Sequence, residues 1–361
     1  MDPGSHVAPD SIYREARNQV VMRSTPEGDG PIVGDVLAVS FHQVHNSGEP
    51  PMQSLNTVFS SQSARRRYEV WFLRFGLADG QGAWWFRYLL LNPGRGGCRE
   101  HSSGMPVQVW ATWFPAGQKP VRFIQGFPVD QLTLSSRGAE SFRFSVGGNG
   151  INEGSCHGDL NVEGHRISWN LEYRSTFANT LSNKGWIGFS RTPHSDAIFS
   201  GQIVLDGRKF EGAPLGFGLQ GHNCGYRHRS KWTWGHAYFA GNRPSTLEAL
   251  VYDLPFGLTF RRAILWHRGK RYIFRVTQQK EDRDGLEWSF CGVARDGSEL
   301  ETHFDGTGIG CHRVPYLKTD CSGILEVANH SMANASLTFL SRDGMERLET
   351  TGGAVLEMGG S

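Results

Sequence analysis

Residues Gly216–Phe239 read GFGLQGHNCGYRHRSKWTWGHAYF. A glycine-rich segment around His222 and Asn223 precedes Trp232–Phe239, a run of residue types that favour a β-strand. Every second residue of that run shares one face of a strand, and these residues are Trp232, Trp234, His236 and Tyr238. Two indoles, an imidazole and a phenol combine apolar area with hydrogen-bonding groups. Such a face is typical of the wall of a ligand cavity.

A structural interpretation fits the same stretch. Glycines let the backbone turn or approach another chain closely, and an Asn such as Asn223 readily hydrogen-bonds its own backbone in a turn. Trp232 and Trp234 then fill a core where two halves of the protein meet. Spacing alone leaves both interpretations open, so we expect His222-Asn-Cys-Gly225 to form a turn beside either a cavity or a core.

The rest of the chain predicts many short strands. Tyr68–Phe75 and Ala83–Leu91 are aromatic, β-prone runs that flank Ala78-Asp-Gly-Gln-Gly82, which predicts a hairpin. Both faces of this hairpin carry bulky groups, as expected when one face fills a barrel and the other packs outside. The chain has 46 Gly, 22 Phe and 11 Trp, and it shows no long stretch of helical periodicity. The predicted fold class is all-β.

The length of 361 residues favours two domains. Short similar segments around Trp169 and Trp288 favour two related barrels. We predict a flexible N-terminal arm over residues 1–30, an N-terminal barrel over 31–214 and a C-terminal barrel over 215–361.

Charge and cysteine usage exclude several classes of protein. The 37 basic and 35 acidic residues are scattered, so no nucleic-acid-binding face is expected. The local exception is the basic segment Arg227–Lys231, interpreted as a solvated turn or an anion contact. The six cysteines form no CxxC spacing, and no metal site is expected. The sequence shows no leader and no bilayer-spanning run, so we expect a cytoplasmic protein without membrane insertion.

Several motifs resemble a known family, the two-domain lipocalin-like proteins. This group includes hydroxyneurosporene synthase (carotenoid 1,2-hydratase), AttH-like proteins, and lipocalin-type cyclases and Diels–Alderases. The matching motifs are the Trp-rich hairpin, Ser200–Gly207, Gly218-xxx-His222-Asn-Cys-Gly225, Trp232-xx-Gly235-His236 and Val327–Ala333. The resemblance implies two antiparallel calycin barrels packed together, with no metal and no organic cofactor. It also implies an apolar pocket for polyenes, isoprenoids or polyketides.

The sequence departs from the hydratase motif at one position. That motif is similar to Asp-His-Asn-Trp-Gly, whereas this chain has Gly221 before His222, and Cys224 in place of the Trp. Hydration of an alkene begins with protonation by a strong acid. The missing carboxylic acid puts that activity in doubt, and chemistry on an activated carbonyl or enol suits the remaining groups better.

The first functional hypothesis is a cofactor-independent cyclase, isomerase or hydratase acting on a hydrophobic natural product. His222 and His236 are the acid/base candidates, and Asn223 polarises a carbonyl. The predicted substrate-binding residues are Trp71, Trp84, Arg87, Trp232, Trp234, Tyr238 and Tyr252. Arg87 anchors an anion or a carbonyl, or alternatively closes a barrel through backbone carbonyls. A homodimer is compatible with the sequence.

Two other classes remain open. A non-catalytic carrier or sensor of a lipophilic molecule needs the same pocket without acid/base groups, and the loss of the acid at position 221 favours it. A carbohydrate-binding or glycosidase-like β-sandwich would need paired carboxylates. Acidic residues are sparse near the Trp clusters, which disfavours the carbohydrate class.

Overall fold

The computed structural model shows an almost entirely β-stranded chain. It describes residues 55–59, 67–91, 105–135, 142–184, 188–241, 243–282, 285–307, 312–319 and 323–360. The predicted N-terminal arm, residues 1–30, lies outside them. In this described part, the helical elements are two three-residue 3-10 turns, Val129–Gln131 and Pro255–Gly257. The all-β class is therefore confirmed.

The first sheet contains twelve antiparallel strands. They are β1 Tyr68–Leu77, β2 Gly82–Leu91, β3 Val107–Pro115, β4 Val121–Phe127, β5 Thr133–Ser135, β6 Arg143–Val146, β7 Asn149–Asn152, β8 Ser155–Val162, β9 His165–Arg174, β10 Asn179–Asn183, β11 Gly188–Leu205 and β12 Arg208–Gly225. Their spatial order is β4-β3-β2-β1-β12-β11-β9-β8-β7-β6-β5, with β10 also paired to β11. This sheet curls around its own core, and no pairing between described residues closes it.

The second sheet contains nine antiparallel strands. They are β13 Trp232–Phe239, β14 Ser245–Asp253, β15 Thr259–His267, β16 Lys270–Glu281, β17 Glu287–Ala294, β18 Glu299–Asp305, β19 His312–Leu317, β20 Ile324–Ser341 and β21 Gly344–Gly359. Their order is β18-β17-β16-β15-β14-β13-β21-β20-β19, and pairing of β18 with β20 closes a ring. A closed barrel thus packs against a curled sheet, which agrees with the predicted pair of packed barrels.

The predicted division at residues 214 and 215 remains a prediction. Strand β12 runs through this position and stays in the first sheet as far as Gly225, and the second sheet begins at Trp232. No helix in the described part of the chain is long and apolar enough to cross a membrane.

The predicted hairpin is present as β1 and β2. Its turn contains Gly80, whose φ of +71° favours glycine, and Phe75 pairs with Trp84 across the ladder. Alternate residues of β1 enter two different cores. Trp71 belongs to the core inside the first sheet, whereas Phe72 belongs to an apolar layer between the two sheets. A third core fills the second barrel.

The predicted turn at His222–Gly225 is wrong. These residues end β12 and pair with β1, from Leu77 opposite Gly216 to Tyr68 opposite Gly225. The glycines of this segment serve close strand approach, because a Cβ at Gly218 would lie 1.9 Å from the carbonyl oxygen of Arg74. The chain turns later, over residues 226–231, between the two sheets.

Arg74 joins the first sheet to the second. Its side chain is 1% exposed, and its guanidinium extends from β1 to the backbone of β20 and β21. Nε donates to the Ser331 carbonyl at 2.9 Å, Nη1 to Gly353 at 3.0 Å, and Nη2 to Gly352 at 3.0 Å and to Ala354 at 2.6 Å. Nη2 also donates to the Ser331 carbonyl. One buried cation therefore satisfies four carbonyls of the partner sheet.

Candidate active site

A cavity of about 540 Å³ lies between the two sheets. The first sheet contributes residues of β1, β2, β10, β11 and β12, and the second contributes residues of β13, β14, β19 and β21. The connection between the sheets, residues 226–229, covers one side. Nine aromatic side chains line the cavity, and they are Tyr68, Phe72, Trp85, Phe189, Tyr226, Trp232, Trp234, Tyr252 and Tyr316. A concave site of this size and composition suits a small apolar molecule.

Five of the residues predicted from the sequence line this cavity: Arg87, Asn223, Trp232, Trp234 and Tyr252. Trp232 donates its indole N–H to Glu357 Oε1 at 3.1 Å, and the Tyr252 hydroxyl lies 3.0 Å from Ser182 Oγ. The Asn223 side-chain oxygen is buried and has no hydrogen-bond partner in the described residues. An unsatisfied acceptor beside an apolar cavity is costly without a ligand.

The predicted face of β13 points toward the first sheet over its whole length, but only its first half reaches the cavity. His236 Nε2 lies 2.8 Å from the Ser195 carbonyl, and burial lowers the pKa of His236 to about 3. Tyr238 stacks on Phe217 with ring centroids 5.2 Å apart, and burial raises its pKa to about 12. Neither residue lines the cavity, because the sheets close around both.

His222, Trp71 and Trp84 lie in the interior of the first sheet, away from the cavity. His222 is fully buried, and its ring stacks on Trp71 at 4.7 Å. Its Nε2 lies 2.8 Å from Glu69 Oε1, and its Nδ1 lies 2.8 Å from the Leu55 carbonyl. The β-strand alternation that turns Asn223 toward the cavity turns His222 to the opposite face.

The Phe72 ring fills the space beside Gly221, the position at which the sequence departs from the hydratase motif. A Cβ at Gly221 would lie 2.2 Å from Cζ of Phe72, which pairs with Gly221 across the ladder. The Phe72 ring lines the cavity and meets Trp234 edge-on at 5.8 Å. An apolar ring therefore occupies the space that a side chain at position 221 would need.

Tyr68 and His228, which were not predicted from the sequence, stack their rings 4.4 Å apart in the cavity wall. Burial raises the pKa of Tyr68 above its usual range, which keeps the phenol protonated. Burial, together with the charge of Arg87, lowers the pKa of His228 and keeps its imidazole neutral. The segment Arg227–Lys231 was recognised as basic, but no sequence signal showed that it folds over a cavity.

Glu357 and Tyr316 were also missed. Glu357 Oε2 accepts hydrogen bonds from the Tyr316 hydroxyl at 3.0 Å and from Asn329 Nδ2 at 3.2 Å. Among the described lining residues, Glu357 is the only carboxylate. The described residues contain no cluster of three or more His, Cys, Asp or Glu that could hold a metal ion.

Glu248 supports Trp234 from behind the cavity wall. It is 2% exposed and accepts hydrogen bonds from Trp234 Nε1 at 3.0 Å, Thr192 Oγ1 at 2.8 Å and Asn179 Nδ2 at 2.9 Å. Burial raises the pKa of this carboxyl above its ordinary value, and the three hydrogen bonds oppose that shift. Glu248 therefore holds the Trp234 indole in one orientation, although burial of its carboxyl costs desolvation free energy.

Replacing Glu248 by Gln is expected to change how stability depends on pH. Because the folded-state pKa is raised, the wild-type protein gains stability from this group below about pH 4.3, the usual Glu value. That contribution is lost as the pH rises through the folded-state value. Gln does not titrate, so urea unfolding at pH 5 and pH 8 should show the wild type losing stability relative to E248Q. A constant difference between the two proteins would contradict the raised pKa.

This chain is similar to known proteins in its fold, but no match was found at the level of sequence. No family model matches the sequence, and the search of curated proteins found no match. Among solved structures, CghA with Sch210972 shares 11% identity over 82% of this chain and 88% of its own, with a TM-score of 0.57. Kievitone hydratase from Nectria haematococca shares 11% identity over 88% and 97%, with a TM-score of 0.51. The resemblance inferred from the motifs is confirmed at the level of architecture: this chain has the two-part lipocalin-like fold.

Proposed function

We propose that the intersheet cavity is the active site of a cofactor-independent enzyme. The enzyme would cyclise, isomerise or hydrate a hydrophobic isoprenoid, polyene or polyketide. The observation that carries the proposal is the set of polar groups without protein partners at an aromatic-lined cavity. Asn223 Oδ1 and Arg87 Nη1 are buried and unpaired in the described residues. Buried polar groups are normally hydrogen-bonded, so unpaired ones at a cavity favour a polar substrate group as the missing partner.

The stacked pair Tyr68 and His228 suits proton transfer at a carbonyl. A protonated phenol can donate to a developing enolate oxygen, and a neutral imidazole can accept the proton from the neighbouring carbon. The pKa directions keep Tyr68 protonated and His228 neutral at neutral pH. Because the same shifts weaken the phenol as an acid and the imidazole as a base, the pair suits an activated carbonyl or enol. We therefore assign the acid and base roles to this pair, in place of His222 and His236, which do not line the cavity. Asn223 keeps its predicted role of polarising a carbonyl through its Nδ2 N–H, while the unpaired Oδ1 accepts from a hydroxyl or N–H of the substrate.

The aromatic walls contribute by holding the substrate in a reactive shape. Trp232, Trp234 and Tyr252 present ring surface to the cavity, which favours a folded apolar chain and stabilises positive charge that develops on it. A hydratase among the solved structures with this fold supports hydration as one of the reaction types considered. The Phe72 ring beside Gly221 disfavours direct protonation of an unactivated alkene at that wall.

The proposal is tested by turnover of a ligand that co-purifies with the protein. The ligand is identified by native extraction and mass spectrometry, and the protein is incubated with it and with its unsaturated precursors. A product of equal mass or of mass increased by one water is expected. Tyr68→Phe should lower the rate by about 100-fold while binding is retained, since general acid catalysis contributes roughly that much.

Tyr272→Phe is the matched control. Tyr272 packs against Phe339 in the second barrel, away from the cavity, and its hydroxyl should be irrelevant to turnover. Full activity in Tyr68→Phe would remove Tyr68 from the mechanism. Saturable binding with no product for any precursor would support the alternative function, a carrier or sensor of a lipophilic molecule. The absence of an acid at position 221 favours that alternative.

A further inference from the structure

Arg87 is held between aromatic rings at the wall of the cavity. It is 4% exposed, and its guanidinium carbon lies 4.2 Å from the ring centroid of Tyr316, 4.6 Å from that of Trp110 and 5.0 Å from that of Trp85. Ring faces attract a cation and hold the planar guanidinium in one orientation. They provide no hydrogen-bond acceptor in the guanidinium plane.

No described residue pairs with this guanidinium. Among the described residues, none forms an ion pair with Arg87 within 4.0 Å, and none is a hydrogen-bond partner of its buried Nη1. Arg74, the other arginine buried between the sheets, donates to four carbonyls. Buried charges are ordinarily paired, because desolvation without a partner is expensive. A guanidinium without a partner at a cavity is thus suited to bind an anionic oxygen of the ligand.

Other charges around the cavity have the same sign. Lys184, Arg227 and Arg229 also line it, and none of them forms a salt bridge with a described residue. Glu357 opposes them, but its two oxygens already accept hydrogen bonds from Trp232, Tyr316 and Asn329. Four basic side chains against one occupied carboxylate give the cavity a positive potential.

We propose that the ligand of this cavity is an acidic amphiphile: an apolar body with one anionic oxygen group, a carboxylate or an ionised enol, bound by Arg87. Lys184, Arg227 and Arg229 at the cavity attract this anion on entry. The inference rests on the proposed function, because it takes the cavity as the binding site, and it adds the charge class of the substrate. A neutral terpene would leave Arg87 unpaired, and a cationic ligand would be repelled.

The test compares cis-parinaric acid, a fluorescent polyene carboxylate, with its methyl ester. The ester has the same chain but no charge. Fluorescence titration of the full chain should give a dissociation constant for the acid about tenfold or more below that for the ester, since a charge-assisted hydrogen bond contributes about 1.5–3 kcal/mol. Arg87→Gln should remove the preference by weakening the acid and leaving the ester little changed. Arg87→Lys should restore part of it.

Arg271→Gln is the matched control, because Arg271 is exposed on the second barrel and does not line the cavity. It should keep the full preference for the acid. Equal binding of acid and ester by the wild-type protein would overturn this inference alone, and it requires no variant to fold. Failure of both probes to bind would count against the proposed cavity function as well as this inference. An undiminished preference in Arg87→Gln would remove Arg87 as the anchor.

Discussion

Replacing Arg74 by Met is expected to lower the free energy of unfolding by about 4 kcal/mol. Loss of a partner from a buried charged network costs about 3–5 kcal/mol, and this guanidinium satisfies the carbonyls of Ser331, Gly352, Gly353 and Ala354. Met fills part of the volume but donates nothing, so four carbonyls between packed sheets lose their donor. No other side chain in the described residues links the sheets through as many hydrogen bonds.

Urea denaturation followed by tryptophan fluorescence measures the Arg74→Met effect. Arg271→Met is the matched control, since Arg271 is exposed, and its loss should change stability by less than about 0.5 kcal/mol. Arg74→Lys should be intermediate, because one ammonium cannot reach all four carbonyls. If Arg74→Met unfolds at the wild-type urea concentration, the sheets are held by their apolar layer and the arginine contributes little.

The fold could be predicted because its signals are local. Two aromatic runs around an Asp-Gly turn predict the hairpin of β1 and β2. In the structure its strands are Tyr68–Leu77 and Gly82–Leu91. The face of Trp232, Trp234, His236 and Tyr238 follows from strand alternation alone. Closure of the second barrel by β18 and β20 depends on pairing between distant segments, and only the resemblance to lipocalin-like proteins pointed to it.

The main obstacle to predicting the site was to decide which face of each strand points to the cavity. In the second half of β12 both faces are largely buried, so the pattern does not reveal which of His222 and Asn223 faces the cavity and which faces the interior of the first sheet. Both His222 and Asn223 were predicted as site residues, and only the Asn223 amide lines the cavity. For the same reason Trp71 and Trp84 were predicted to bind substrate. They lie in the core inside the first sheet, whereas their neighbours Phe72 and Trp85 line the cavity.

Other cavity residues were missed because they are distant in sequence or lie in a connection. Tyr316 of β19 contacts Arg87 across the two sheets, and Glu357 of β21 contacts Trp232 through the pairing of two strands that are distant in sequence. His228 lies in the connection between the sheets, where periodicity carries no information. The basic residues beside it favoured a solvent-exposed turn, whereas the connection covers one side of the cavity.

Replacing His222 by Ala is expected to destabilise the protein rather than to abolish chemistry. Glu69 and His222 are both fully buried, and Nε2 lies 2.8 Å from the carboxylate. Removing the imidazole takes one hydrogen bond from the Leu55 carbonyl and one from Glu69 Oε1, which keeps the Phe59 N–H at 2.8 Å. Each hydrogen bond lost in a dry interior costs about 1–3 kcal/mol. Loss of the ring also removes the stacking contact with Trp71, which adds to the cost.

Urea denaturation of His222→Ala should therefore show a midpoint well below that of the wild type, while the folded fraction retains ligand binding. The double variant Glu69→Leu/His222→Leu is the informative companion. It removes both polar side chains, and it should recover part of the lost stability, since the desolvated carboxyl disappears together with its hydrogen bond to His222, while the Phe59 N–H loses its acceptor. A His222→Ala protein with wild-type stability but no turnover would be the opposite result. It would return His222 to the mechanism and require the reacting atoms to reach the interior of the first sheet.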